Sequence, residues 1–231
     1  MDNPSIAVPS PTQVLLSSRT SLRYDLAKRL LDVAIVLIVL AILAPVLAGL
    51  SVLIRLTSPG PAFFRQTRVG RGGRQFEMLK FRSMYLGAED RIHREMNIRE
   101  LQGDRTPPGT SGGLFRLEHD PRITIVGYWL RRYGLDELPQ LFNVLRGEMS
   151  LTGPRPALPW EVALFTAQQC RRHECLPGIT GLWQVSGNRY ALSMPEMLEL
   201  DLRYLETRSL KLDLGILLRT PMVLLSDRSS R

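Results

Sequence analysis

An aspartate and a glutamate stand side by side at positions 136 and 137, inside the stretch DPRITIVGYWLRRYGLDELPQLFNVLRGEMSLTGPRP (residues 120–156). The apolar residues Leu138, Leu141, Phe142 and Leu145 recur at helical spacing, and Gly147 follows them as a stop. The pattern predicts a helix beginning around Asp136, with a preceding helix ending near Gly134, a natural left-handed cap. Pro139 falls in the first turn, where a missing N–H is harmless. Asp136 and Glu137 then sit at a helix N-terminus, whose dipole and unpaired amides favour an ionised carboxylate and also bind phosphate. Arg131, Arg132 and Arg155 lie close enough in sequence to add positive charge. Taken alone, these residues read first as ordinary helix caps beside solvated arginines.

A second cluster, Cys170-Arg-Arg-His173-Glu-Cys175, does not match the usual zinc spacings and is read as two reduced thiols. His93 and His119 lie on charged stretches, and Trp129, Trp160 and Trp183 read as core or interfacial anchors.

The elements that must position the acidic pair come next. The chain has 231 residues, with 30 Lys+Arg against 22 Asp+Glu for a formal charge of +8, 44% hydrophobic residues and two cysteines. That excludes a disordered chain and a disulfide-stapled scaffold, and it points to a polyanionic partner: nucleic acid, anionic lipid or a phosphorylated substrate. From Val33 to Ile54 runs an uncharged apolar segment of 22 residues, about 33 Å as a helix and close to the hydrocarbon thickness of a bilayer. Bases flank it on both sides: Arg19, Arg23, Lys28 and Arg29 before, and from residue 55 to 82 seven bases against the single acid Glu77. Basic flanks at both ends suit a segment that enters and leaves on one face, and Pro45 at its midpoint is where a bend belongs. A kinked but spanning helix remains the alternative.

Beyond a Pro/Gly break at Thr57–Pro61, the stretches Ala62–Val69 and Arg74–Phe81 flank Gly70-Arg71-Gly72-Gly73, a β-hairpin pattern. Residues 86–102 read as a charged helix and 103–113 as a loop. From Ser209 onward the leucines and isoleucines, interspersed with Lys211, Asp213 and Arg219, fit either an amphipathic helix on a membrane surface or a core helix. No nucleic-acid-binding module is recognisable, and such a function would leave the apolar segment unexplained.

Several motifs occur in order: KRLLD before the apolar segment, SPGPAFFRQTRVG, LKFRSM, DPRIT, LDELPQLFNVLRGEMS, GPRP, PGITGLWQVSG, and a late pair at Asp201 and Tyr204. Together, from Lys28 to about Leu225, they resemble the monotopic polyprenyl-phosphate phosphoglycosyl transferases. The resemblance implies a re-entrant, proline-broken helix at the cytoplasmic face of a bacterial inner membrane, in contact with inner-membrane lipids. It implies transfer of a sugar-1-phosphate from a UDP-sugar to polyprenyl phosphate with release of UMP and with Mg2+ as cofactor. In the family's Asp-Glu pair the aspartate is the nucleophile, which falls on Asp136 with Glu137 beside it. Lys80, Arg131 and Arg155 are the implied phosphate-binding residues, with Arg189 a further candidate at a point where the chain departs from the family's motif, and Asp136 and Asp201 the implied metal ligands. A homodimer is left open.

The chain departs from the family's usual pattern at Gly134 (commonly Ser), at Thr152 (commonly Val) and at Gly187-Asn188-Arg189, where Gly-Arg-Asn is usual.

The expected fold is α+β and mostly helical: a re-entrant membrane helix-hairpin over residues 28–56, then a catalytic domain over 57–225 with a small β-hairpin and surface amphipathic helices. Short tails, 1–27 and 226–231, flank these. The competing reading is a membrane-anchored polybasic scaffold in which Arg55 to Arg82 hold anionic lipid and the acidic pair merely caps a helix.

Overall fold

The computed structural model describes residues 22–87, 98, 120–186 and 192–229, the last six as backbone. Of the charged helix expected over 86–102 and the loop over 103–113, only Leu86 and Gly87, in a turn, and Ile98 are described, and His93, His119 and Arg189 fall outside the described residues. The first element, α1 (Leu22–Thr57), is one helix of 36 residues with Pro45 inside it. It starts before the expected boundary at 28, so Tyr24 and Asp25 belong to it.

Both ends of α1 pack onto the same body. Ile35, Val36, Val39 and Leu40 join Met78, Leu141, Val144, Met149 and Leu151. Leu47, Leu50 and Ile54 join Ala62, Phe81 and Leu130, and Leu138 packs against both clusters. Between these contacts, Ala44, Pro45 and Val46 are exposed.

Polar contacts fix the helix at its ends. Near its N-terminus Arg29 donates to the carbonyls of Val144 and Leu145. At its C-terminus the buried Arg82 donates to Ser58 O and Ser58 Oγ, both at 2.7 Å. Each guanidinium thus sits at the C-terminal end of a helix, where the backbone carbonyls carry the negative end of the dipole. Asp32 accepts from Ser150 Oγ at 2.6 Å. Lys28 and Tyr24 reach the buried Asp213, which also accepts from Thr152 and Tyr204. Lys28 thus answers the buried charges of Asp32 and Asp213, whereas Arg29 and Arg82 are held by carbonyl and hydroxyl oxygens.

The hairpin forms where the glycine-rich turn puts it. Strands β1 (Phe63–Val69) and β2 (Gln75–Phe81) pair antiparallel with Phe64 opposite Lys80, and the turn places Gly72 and Gly73 at positive φ. Helix α2 (Ile125–Tyr133) starts at Thr124, whose hydroxyl accepts from the Gly127 N–H, and ends at Gly134 in the left-handed conformation (φ 67°). Helix α3 (Gln140–Arg146) starts later than expected. Leu135–Glu137 form a separate 3-10 turn, because Pro139 has no N–H to give Leu135 and the next bonds run i→i−3 instead, Leu138 to Leu135 and Leu141 to Leu138.

After α3 come β3 (Ser150–Thr152), the short helices α4 (Pro159–Val162) and α5 (Ala167–Cys170), and β4 (Gly178–Thr180), parallel to β3. This strand pair was not anticipated. Helices α6 (Met194–Thr207) and α7 (Leu210–Ser229) close the body. Helix α7 reaches past residue 225 and has two faces: Asp213 and Ile216 are buried, while Leu214, Leu218 and Met222 are exposed. The described fold is mostly helical with two small sheets.

Candidate active site

One buried asparagine assembles the site. Asn143, fully buried on α3, donates to Glu77 O at 2.7 Å and accepts from Leu79 N–H at 2.9 Å. These two bonds lock α3 to the β2 backbone, so the turn just before α3 faces the next strand residue, Lys80. Lys80 Nζ meets Glu137 Oε1 at 2.9 Å across 57 positions of sequence. Helix α2 approaches from the other side. Gly127 lies so close to Ser83 that a Cβ there would sit 1.9 Å from the Ser83 carbonyl oxygen. At that range Ser83 O accepts the Thr124 N–H, and Arg131 Nε donates to Ser83 Oγ at 2.9 Å.

The neighbouring carboxylates have been driven apart in proton affinity. Withdrawal from water and the charge of Glu137 push Asp136 up to about 6, against the pull of Lys80 and Arg131. For Glu137, withdrawal from water acts in the same direction but is outweighed. The charge and hydrogen bond of Lys80, aided by Arg155 and Arg68, hold its carboxyl below the usual range. Among the described residues no side chain hydrogen-bonds the Asp136 carboxylate, which takes only its own backbone N–H. The site is open to a ligand, since the Glu137 side chain is 43% exposed and Lys80 23%. Adjacent acids with opposed affinities are the pattern of groups with different chemical tasks.

The structure therefore gathers Asp136, Glu137, Lys80, Arg131 and Arg155 around one point. Asp201 lies on α6, buried against Arg172 and lining a small cavity with Arg155. Among the described residues no group of three His, Cys, Asp or Glu side chains is spaced to hold a metal by itself. The two cysteines are buried and free, and Cys175 is pushed up to about 12 by burial. His173 is buried, stacks on Phe165 and is lowered to about 4, chiefly by burial. Neither cysteines nor histidine form a metal centre.

Sequence reasoning missed Arg68, Arg172 and Asn143. Arg68 is buried, donates to Pro156 O at 2.8 Å and adds its charge to Glu137. No local signal marks a buried arginine or an asparagine bonded to a neighbouring strand.

With the geometry in hand, comparison with known proteins agrees. The sequence pattern described as "Bacterial sugar transferase" matches residues 23–227. The chain is similar to the UDP-glucose:undecaprenyl-phosphate glucose-1-phosphate transferase of Caulobacter vibrioides, 40% identical over 89% of this chain and 72% of that protein. It is similar to the exopolysaccharide production protein ExoY of Rhizobium meliloti, 35% identical over 88% of each chain. It is also similar to the galactosyl transferase CpsE of Streptococcus agalactiae, 42% identical over 87% of this chain, which spans 42% of that longer protein. The chain belongs to the bacterial sugar transferase family, the phosphoglycosyl transferases to which its motifs point.

Proposed function

We propose that this enzyme transfers a sugar-1-phosphate from a UDP-sugar to a polyprenyl phosphate, releasing UMP, as a membrane step of exopolysaccharide or glycoconjugate synthesis. The observation that carries the reading is the Asp136 carboxylate: unbonded by other side chains among the described residues, raised in proton affinity yet ionised at neutral pH, with the charges of Lys80 and Arg131 acting on it and that of Arg155 on Glu137 beside it. A carboxylate oxygen of Asp136 attacks the β-phosphorus of the donor. The bond from that phosphorus to the bridging oxygen breaks, UMP departs with the oxygen, and the sugar phosphate stays on Asp136 as an acyl phosphate. An oxygen of polyprenyl phosphate, largely ionised because such monoesters have a second pKa near 6, then attacks the same phosphorus. The acyl-phosphate bond breaks and the Asp136 carboxylate is restored. The difficulty is bringing an anion to a diphosphate, and Lys80, Arg131 and Arg155 answer it by placing positive charge around the reacting phosphates.

Mg2+ suits the donor set, since this ion is held by one or two carboxylates together with substrate phosphates. Asp136 is the available carboxylate, and the ion would neutralise charge developing on the phosphate oxygens.

The same reading places α1 in the cytoplasmic leaflet of the inner membrane as a re-entrant hairpin. A straight helix would set Val36 and Ile54 about 27 Å apart, yet Leu138 packs against both their clusters and the exposed stretch between them centres on Pro45. Both observations favour a bend there. Trp129 and Tyr133 stack on an exposed face of α2 with Ile125 and Tyr128, beside the buried Leu130–Ile54 contact. Aromatic side chains of this kind suit the headgroup level. A polybasic scaffold without catalysis would leave the opposed affinities of Asp136 and Glu137 without a purpose.

The test is to give the detergent-solubilised chain Mg2+ and several UDP-sugars without lipid acceptor. One equivalent of UMP and a hexose-phosphate adduct on Asp136 in the intact-protein mass spectrum are expected. UMP release by the Asp136→Asn variant would refute the scheme.

A further inference from the structure

We infer that the Arg172–Asp201 ion pair positions Arg155 for donor binding, acting through the Arg155 backbone; this rests on the reaction proposed above. Arg172 Nη2 bridges the two residues: it donates to the Arg155 carbonyl at 2.6 Å and pairs with Asp201 Oδ2. The Arg155 backbone N–H also favours the ionised form of the Asp201 carboxylate.

The residues around it are held as well. The Gly153 N–H donates to Thr180 O at 2.9 Å, and Pro154 O accepts from Gly178 N–H at 2.8 Å. Pro156 O accepts from Arg68 at 2.8 Å, and Ala157 O from Val69 N–H at 2.8 Å. Prolines on both sides fix φ. From that backbone the charge of the Arg155 side chain reaches Glu137.

The pair is deeply buried, Arg172 at 5% and Asp201 at 1% exposure, so neither charge is left for solvent. A burial this complete needs a purpose, because a buried ion pair by itself is weak evidence of stability. Service as a Mg2+ ligand fits Asp201 poorly. One of its oxygens is committed to Arg172. The other, Oδ1, belongs to a set of buried atoms without a partner among the described residues, together with Arg172 Nε, Glu161 Oε1 and Trp183 Nε1. The four residues that carry them line one cavity with Arg155, and it has about 10 Å³ of room for the centre of a water molecule. Two donors and two acceptors in that space suit a single water, not a hydrated divalent ion.

The experiment uses the full chain in detergent and reads donor-only UMP release against UDP-sugar and Mg2+ concentrations. Asp201→Asn and Arg172→Lys are each made alone and in an Arg155→Ala background. Each single variant should raise the donor KM about tenfold while leaving half-saturation by Mg2+ within twofold. On the Arg155→Ala background the same substitutions should add less than twofold, because residues acting through one another are not additive. A tenfold or larger shift in the Mg2+ midpoint for Asp201→Asn overturns the inference, as does an undiminished effect without the Arg155 side chain. Donor affinity by titration calorimetry makes the same comparison in an enzyme that binds without turning over, so failure of the reaction scheme reads differently from failure of the clamp.

Discussion

Replacing Asp136 with asparagine should abolish turnover and make the protein more stable. The folded state holds this carboxyl at about 6 against an ordinary 3.8. At 1.36 kcal/mol per tenfold change, that difference corresponds to about 3 kcal/mol by which ionisation at neutral pH destabilises the fold. Asp136 is only half-buried, and screening by solvent reduces the figure to about 1–3 kcal/mol. The sign follows from linkage. A carboxyl raised in the folded state binds protons more tightly there than in the unfolded chain, so wild-type stability falls as pH rises from 3.8 to 6. The penalty is fully present above pH 6, is about halved at pH 5 and vanishes below 3.8.

Asparagine carries none of this penalty. At pH 8 the variant should melt about 2–12 °C higher than wild type, taking roughly 2–4 °C per kcal/mol for a domain of this size. At pH 5 its advantage should shrink to about half. Differential scanning calorimetry of both proteins in the same detergent at the two pH values measures this. A variant less stable than wild type at pH 8, or an advantage that does not shrink at pH 5, would show that Asp136 is an ordinary solvated cap.

Four other outcomes follow from the same geometry. In donor-only UMP release, kcat/KM should fall on the acid side with an apparent pKa near 6, the value for Asp136; a limb below 4.5 would point to a normal carboxylate. Lys80→Met removes the hydrogen bond to Glu137 and should lower donor-only turnover about a hundredfold, so turnover within threefold of wild type would exclude a role for Lys80. Gly127→Ala drives a methyl into the Ser83 carbonyl; α2 must back away, with a loss of about 2–4 kcal/mol of stability by chemical denaturation and weaker donor binding through Arg131. Asn143→Ala strips partners from Glu77 O and Leu79 N–H and should destabilise by about 2–4 kcal/mol, with turnover falling further than the loss of folded protein explains.

What the sequence disclosed and what it hid divide along physical lines. The hairpin was legible because strand-forming residues around a glycine-rich turn are a local property, and the stop at Gly134 was legible for the same reason. The start of α3 was misplaced because the missing N–H of Pro139 acts on Leu135, earlier in the chain, and changes the type of turn that carries the acidic pair. Strands β3 and β4 have three residues each, too few to show a period, and they pair across an intervening 25 positions. Arginines read as solvated charges in a sequence, yet Arg68, Arg82 and Arg172 are buried and hold backbone carbonyls. The catalytic candidates were visible as residue types through the family's motifs. The pairing of Lys80 with Glu137, rather than with Asp136, was not, because it depends on where Asn143 fixes the strand.

That pairing bears on how a carboxylate can act as the nucleophile at neutral pH. Both acids feel Lys80, but only Glu137 accepts its hydrogen bond, so the cation stabilises one anion more than the other. Asp136 is left with the higher proton affinity, and among similar oxygen bases higher proton affinity accompanies stronger nucleophilicity. At about 6 it remains ionised at pH 7, so the gain in reactivity does not reduce the population able to react. The arrangement has one weakness: an arriving diphosphate adds negative charge and pushes Asp136 further towards protonation. Arg131, whose charge already acts on Asp136, and Arg155, acting from the side of Glu137, oppose that push. Loss of either arginine should therefore move the acid limb of the donor-saturated rate upward in pH as well as weaken donor binding. An arginine that merely bound substrate would alter KM and leave that limb in place.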